Sequence, residues 1–226
     1  MKPICLIPAR GGSKRIPMKN IKIFNGKPLI QWSIECAKNS NLFSKIVVST
    51  DNLEIADIAK DCGAEIPFIR PSKLSDDFTK DVEVIEHYIN QEITRENSPD
   101  TICYLYPTAP FITIDTLKKC YSLLLEKQAA CALTITTFSY PPQRALSKND
   151  DSTLDFYWNE YKGKRSQDLT QTYHDAAQCY FYNLHKFPDI SDRVGLILPR
   201  ISCQDIDTPE DFEFAETLFK VIEEKK

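Results

Sequence analysis

The 226-residue sequence has no CxxC, no GxxxxGK[ST] and no GxGxxG. Its eight cysteines, at 5, 36, 62, 103, 120, 131, 179 and 203, are nowhere closer than eleven residues apart, which excludes tight zinc-knuckle spacing. The six glycines, at 11, 12, 26, 63, 163 and 195, cannot form a dinucleotide fingerprint, and without a Walker motif the chain is not a P-loop NTPase. No apolar run approaches the ~18 residues of a membrane span, so no membrane partner is expected. With 28 basic and 32 acidic residues the net charge is −4, which argues against a nucleic-acid partner. The N-terminal run Met1–Pro8 stops at proline without a small-residue cleavage site and does not read as a secretory signal. A soluble, cytoplasmic chain with reduced thiols is expected, and Cys5, Cys103 and Cys179, inside apolar runs, read as small core hydrophobes.

The remaining composition, 42% hydrophobic and 11% aromatic, supplies a sizeable core. Strands are expected over 2–9, 45–50, 65–69, 101–106 and 130–137. Helices are expected from Pro28 to about Lys38, from Asp51 or Asn52 to Gly63, over 81–93 with Val82, Ile85 and Ile89 inward, and over 114–127 behind a Thr113 cap. This alternation predicts an α/β fold, a Rossmann-like open, mostly parallel sheet with helices on both faces. Residues 139–193 break the rhythm and read as an irregular lid or extension on a single domain spanning 1–226. Leu196–Leu198 and a last helix, opened by the capping pattern of Thr208-Pro209-Glu210-Asp211, restore it.

The run Pro8-Ala9-Arg10-Gly11-Gly12-Ser13-Lys14-Arg15-Ile16-Pro17-Met18-Lys19-Asn20 follows the first strand and holds the chain's one Gly-Gly pair. From Arg10 to Lys22 there are five basic residues and no acid. Glycine amides plus Lys and Arg can hold several phosphate charges, and loops at the carboxyl ends of parallel strands are where α/β sheets bind ligands. The bland alternative is a solvated basic turn.

This run resembles the nucleotide-binding signature of the CMP-sialic-acid-synthetase type of cytidylyltransferase. Ser49-Thr50-Asp51, Phe68-Ile69-Arg70-Pro71, Tyr106-Pro107-Thr108-Ala109-Pro110 and Gln204-Asp205-Ile206-Asp207-Thr208-Pro209-Glu210-Asp211 continue the resemblance in order. Tyr140–Leu146, Arg165–Leu169 and Tyr173–Ala176 are most similar to the branch that activates pseudaminic acid, a sialic-acid-like sugar of bacterial flagellin and surface glycans. The resemblance implies a nucleotide-diphospho-sugar transferase fold, CTP and an acidic nine-carbon sugar as substrates, and a homodimer.

Asp205 and Asp207 stand two apart in an extended segment, so both carboxylates can face one point, as Mg²⁺ shared with substrate phosphates requires. They match the family's metal pair; the alternative is two residues that only approach a helix. The resemblance implies in-line attack of a sugar hydroxyl on the α-phosphorus of CTP, with Arg10, Lys14, Lys19 and Asp207 catalytic. It implies nucleotide binding by Ala9, Arg10, Gly11, Gly12, Ser13, Lys14, Asn20, Arg70 and Thr79. Asn20 and Arg70 would read cytosine, although Arg70 reads equally as a surface ion-pair partner.

For the sugar, Arg144 and Arg165 suit a carboxylate, and Gln167, Asp168, His174 and Asp175 suit hydroxyl or N-acyl groups. Tyr106 stands where sialate-specific relatives often carry Gln. Ala177 stands where the family usually has Gly, and is tolerable if its φ is negative. The general base is open among a metal-acidified hydroxyl, Asp207 and His174. Cytidylyltransferases for sialic, legionaminic or 3-deoxy-octulosonic acid are the alternatives within the class, and a non-catalytic nucleotide-binding protein the alternative outside it. The aromatics of 139–193 either contact a second subunit or complete the domain's own core.

Overall fold

A computed structural model describes residues 2–93 and 98–224. The chain runs through β1 (Ile4–Pro8), a small hairpin of β2 (Ile23–Phe24) and β3 (Lys27–Pro28), α1 (Leu29–Asn39), β4 (Lys45–Ser49) and α2 (Leu53–Asp61). It continues with α3 (Asp81–Glu92), β5 (Thr101–Leu105), α4 (Ile114–Lys127) and β6 (Cys131–Thr137). A second hairpin, β7 (Leu146–Lys148) and β8 (Leu154–Phe156), precedes β9 (Tyr173–Asn183), β10 (Arg193–Leu198) and α5 (Pro209–Glu223). Among the described residues, no helix is long and apolar enough to cross a membrane.

Six strands form one sheet in the order β10-β6-β9-β5-β1-β4. Pairings are parallel except at β9, which runs antiparallel to both β5 and β6. Cys5, Leu6 and Ile7 are fully buried, which explains the unbroken apolar run of β1: both faces of a central strand are covered. On one face, Ile7, Val48, Cys103 and Phe181 meet Ile30 and Ile34 of α1, Ile55 of α2 and Leu117 of α4. On the other, Leu6, Ile102 and Tyr104 meet Val84, Ile85 and Tyr88 of α3. A third cluster joins Phe24 and Leu29 to Phe212 and Phe219 of α5, with Ile206 fully buried among them. Each such large side chain stabilises the fold by roughly 1.5–3 kcal/mol relative to exposure.

The expected alternation is present, with four differences. Residues 65–69 form only isolated bridges, Val47 to Glu65 and Thr50 to Ile69, because the β4 edge offers pairing at two points alone. The inward face of α3 is Val84, Ile85 and Tyr88, with Val82 and Ile89 half-buried at its margins. Pro28 sits outside α1, as its N-terminal flank, because its carbonyl and ring complete the β2–β3 hairpin. The irregular span 139–193 divides in two: its first part holds the β7–β8 hairpin and short turns, whereas 173–183 is an interior strand of the sheet. All eight cysteines are free, and Cys5, Cys103 and Cys179 are fully buried.

β1 lies between β4 and β5, so the chain leaves it on one side and returns on the other. A crevice opens at such a switch point, beyond the carboxyl ends of the strands.

Candidate active site

The cleft at that point, of roughly 360 Å³, is lined by five chain segments: the basic loop after β1, residues 70–84, the end of β5 and the turn after it (Tyr104–Thr108), Ala177 of β9, and the aspartate segment before α5. The basic loop is anchored from within. Ile16 is buried in the α5 cluster, and Asn20, also buried, donates from Nδ2 to the Arg10 carbonyl at 2.9 Å. That bond leaves Oδ1 as the Asn20 atom able to accept from a base amino group. Gly11 is required by a close approach: a Cβ there would stand 2.9 Å from Cβ of Asn52. Its amide donates to Asp51 at 2.8 Å and that of Ser13 to the Gly11 carbonyl at 3.0 Å, so neither is left over for a phosphate. Gly11 therefore serves backbone geometry, and the cationic charge of the loop is carried by its side chains.

Those side chains converge. Arg10, Ser13, Lys14, Arg15 and Lys19 all line the cleft. Lys19 reaches across to the aspartate segment, donating to the Ile206 carbonyl at 2.6 Å and lying 3.3 Å from Asp207 Oδ1. Arg15 pairs with Asp207 Oδ2 at 3.0 Å. Buried Ile206 turns Asp205 and Asp207 together toward the cleft, as the two-residue spacing predicted. Asp211 is structural: it caps α5 with Thr208 and accepts from the Asp207 amide.

Asp205 is exposed on the cleft wall. Its carboxyl is raised above the ordinary aspartate value, by desolvation first and by the like charge of Asp207 second. A divalent cation would relieve that repulsion. Among the described residues no group of three or more His, Cys, Asp or Glu is placed to hold a metal. The protein thus offers a carboxylate pair whose remaining ligands must come from substrate and water, a donor set that fits Mg²⁺.

Arg70 is only 4% exposed, which overturns its reading as a surface ion-pair partner. Its Nε donates to Ser75 Oγ at 3.1 Å, and among the described residues no carboxylate lies within ion-pairing distance. Burial lowers its pKa, consistent with a desolvated guanidinium. Thr79 lines the cleft with its hydroxyl turned to Asp76 at 2.7 Å.

Tyr106 lines the cleft, whereas the other sugar candidates do not. Arg144 donates to Ser166 at 3.0 Å, and Arg165 forms a two-pronged pair with Asp168 at 2.8 and 3.0 Å, which occupies the fork expected to hold a sugar carboxylate. Gln167 is exposed beside them. His174 directs Nδ1 to the Asp175 carbonyl at 2.7 Å, and its ring lies against Phe138. Asp175 accepts from the Ala177 amide at 2.8 Å. Ala9 is fully buried in the core behind the loop and does not line the cleft.

Ala177 does reach the cleft, at φ +50°, so the negative φ that would make alanine easy is not adopted. It sits in an irregularity where β9 carries three extra residues against β6: Leu133 pairs with Tyr180, yet Ile135 with Asp175. Such bulges re-aim strands beside active sites.

Sequence reading missed Arg15, Asp77, Asp81 and Tyr104, all on the cleft wall. Arg15 was legible as the neighbour of Lys14 in one basic run. Asp77 had no local signal, since its partners are Arg10, at 2.6 Å, and Lys14, sixty or more positions away.

The sequence matches the cytidylyltransferase family over residues 4–225. It is 42% identical over 226 residues to the pseudaminic acid cytidylyltransferase of Campylobacter jejuni, covering 98% of this chain and 97% of that protein. Identity is 32% to the N-acylneuraminate cytidylyltransferase of Escherichia coli, covering 96% of this chain and 52% of that protein. Among solved structures, a CMP:2-keto-3-deoxy-manno-octonic acid synthetase complexed with CTP aligns with a TM-score of 0.68 at 16% identity, over 97% of this chain and 99% of that one, which shows a common fold.

Proposed function

The chain belongs to the cytidylyltransferase family and is a nucleotidyltransferase, and from that premise we propose that it transfers CMP from CTP to the anomeric hydroxyl of pseudaminic acid, releasing pyrophosphate. The observation that carries the reading is the meeting of four loop cations, Arg10, Lys14, Arg15 and Lys19, with the Asp205–Asp207 pair across one cleft, tied by Lys19. The hydroxyl oxygen attacks the α-phosphorus, the bond from that phosphorus to the bridging oxygen breaks, and the hydroxyl proton leaves to a base.

Arg10, Lys14 and Lys19 hold the triphosphate and spread its charge, with Arg15 beside them; Ser13 donates to a phosphate oxygen. Asp205 and Asp207 would hold Mg²⁺, which when bound supplies charge neutralisation at the phosphate oxygens. Buried Arg70 and the Oδ1 of Asn20 face the cytosine edge, with Thr79 nearby. Asp207 lies on the cleft wall and His174 does not, which favours Asp207 as proton acceptor.

Residues 139–172 are proposed to cover the site and to pair with a second copy in a cytoplasmic homodimer, bringing Arg144 and Arg165 into use. Support comes from the exposure of apolar side chains there, Tyr140 at 84% and Tyr157 at 66%, while Phe181 and Tyr182 further on complete the chain's own core. Sedimentation at micromolar concentration returning only the single-chain mass would sink the homodimer.

The test of function is pyrophosphate release with CTP and Mg²⁺, offering pseudaminic, sialic, legionaminic and 3-deoxy-octulosonic acids side by side. Turnover confined to pseudaminic acid supports the reading. Preference for another of the four transfers the mechanism to that sugar, and silence with all four overturns catalysis.

A further inference from the structure

Three tyrosines and two carboxylates form a connected group, of which Asp81, Tyr104 and Tyr106 line the cleft while Tyr180 and Asp175 stand behind them. Asp81, the first residue of α3, accepts from the Tyr104 hydroxyl at Oδ1, 2.9 Å, and from the Tyr106 hydroxyl at Oδ2, 2.8 Å. Tyr180 donates its hydroxyl to Asp175, whose other oxygen takes the Ala177 amide. The Tyr106 ring is wedged edge-to-face between Tyr104 and Tyr180, with ring centres 5.7 Å away on each side. Its backbone is fixed as well: the amide donates to the Gln178 carbonyl at 2.9 Å, and the Tyr106 carbonyl accepts from Ser33 Oγ at 2.8 Å.

A phenol has one proton and two lone pairs. The proton of Tyr106 goes to Asp81 and that of Tyr180 to Asp175, so neither hydroxyl has a proton left for a ligand. Burial first, and then Asp81, pushes the Tyr106 phenol well above its ordinary range, which keeps it neutral. The Tyr180 hydroxyl lies within hydrogen-bonding reach of the Tyr106 oxygen as well, so Tyr106 lines the cleft as an uncharged acceptor whose direction is set from behind by both neighbours.

We infer that Asp81 is a positioning residue that fixes Tyr106 as a hydrogen-bond acceptor for the secondary-amide N–H of an acylamino group on the acidic sugar. The inference rests on the proposed placement of that sugar beside Tyr106. A sugar hydroxyl can donate or accept and is read ambiguously by such a wall. An amide N–H only donates, so an acceptor of fixed direction selects it and rejects an amide carbonyl turned the same way, which would leave two acceptors facing each other.

The test is steady-state pyrophosphate release, run with whichever acidic sugar the parent enzyme turns over, varying sugar and CTP separately. If the parent turns over none of the four, the function fails, and calorimetric binding of the CTP-loaded protein to N-acylated sugars replaces kinetics. Tyr106→Phe removes the acceptor. Asp81→Asn leaves one acceptor oxygen for two phenol protons; with that oxygen on Tyr104, its NH2 faces Tyr106 and turns the Tyr106 proton toward the cleft, and the isosteric change is expected to spare the fold. Both variants are expected to raise the sugar KM about tenfold while the CTP KM stays within twofold. The double variant is expected to be no worse than the more affected single one, because both changes remove one interaction.

Equal rises in the two KM values, multiplied effects in the double variant, or an unchanged sugar KM would overturn the inference. If Asp81→Asn does not fold, the N-methylated amide of the sugar decides. Methylation is expected to weaken binding to the parent about as much as Tyr106→Phe does, and to cost nothing further in that variant; an additional loss there overturns the acceptor role.

Discussion

The carboxylate of Asp77 bridges Arg10, 2.6 Å from its Nη1, and Lys14, two of the cations proposed to hold the triphosphate. On that proposal Asp77 competes with the phosphates for the same two cations. Its own pKa is depressed, first by the Lys14 bond and then by that of Arg10, so it remains ionised and competes across the neutral range. Asp77→Asn removes the competitor, and the dissociation constant for CTP is expected to fall roughly fivefold, the scale of exposed ion pairs. Calorimetry at low and high salt checks this. Weaker binding by the variant would mean that Asp77 orients the two cations instead of competing for them.

Asp205 and its neighbour oppose each other in the metal-free protein. Because the Asp205 carboxyl is raised, folding disfavours its ionised form; its contribution is most favourable below the ordinary aspartate value and is lost as pH rises through the raised one. Asp205→Asn is expected to melt above the parent at pH 7 without metal or nucleotide. The gap should close as pH falls toward the ordinary value of ~3.9. Turnover should drop at least about 100-fold, the scale of a lost charge-stabilising group. A variant that melts lower at pH 7 would contradict the sign.

Ala177 holds a backbone conformation suited to glycine. Ala177→Gly is expected to relieve about 1 kcal/mol of local strain, seen as a rise of about 2–4 °C in melting temperature for a chain this long. Ala177→Val should lower it. The sugar KM of the glycine variant measures whether the methyl group also shapes the cleft.

Arg70 is a buried cation without a carboxylate partner among the described residues, so its removal strands no opposite charge. Arg70→Met is expected to melt at or above the parent temperature, while the CTP KM rises tenfold or more, the worth of a charged hydrogen bond at about 1.5–3 kcal/mol. A large loss of stability instead would assign Arg70 to the fold rather than to the nucleotide.

The alternation of elements was readable because α1, α2 and α4 each carry apolar residues at helical spacing between caps such as Asn52 and Thr113. The basic loop and the aspartate pair were readable because their chemistry is local: five cations in thirteen residues, and two carboxylates two apart. Asp77 and Asp81 were not, because each acts on residues twenty-three to sixty-seven positions distant. The apolar run around Cys179 was readable, but the full Tyr173–Asn183 strand did not separate from the irregular span because its first residues are polar and a bulge interrupts its period of two. The surface reading of Arg70 failed because the groups around its side chain, Arg10, Asp51 and Tyr104, come from distant parts of the chain.

β9 has a consequence for how the molecule comes into being. It is the only link between the β10–β6 pair and the β5–β1–β4 group in the described sheet, and it comes late in the chain, after β1, β4, β5 and β6. Until it arrives, β5 and β6 present bare hydrogen-bonding edges with apolar faces, the species most open to pairing with another chain. Synthesis thus has a vulnerable interval that ends with the insertion of one strand. A nascent chain halted at residue 172 should be captured by chaperones or aggregate, whereas one carried past β10 should resist proteolysis.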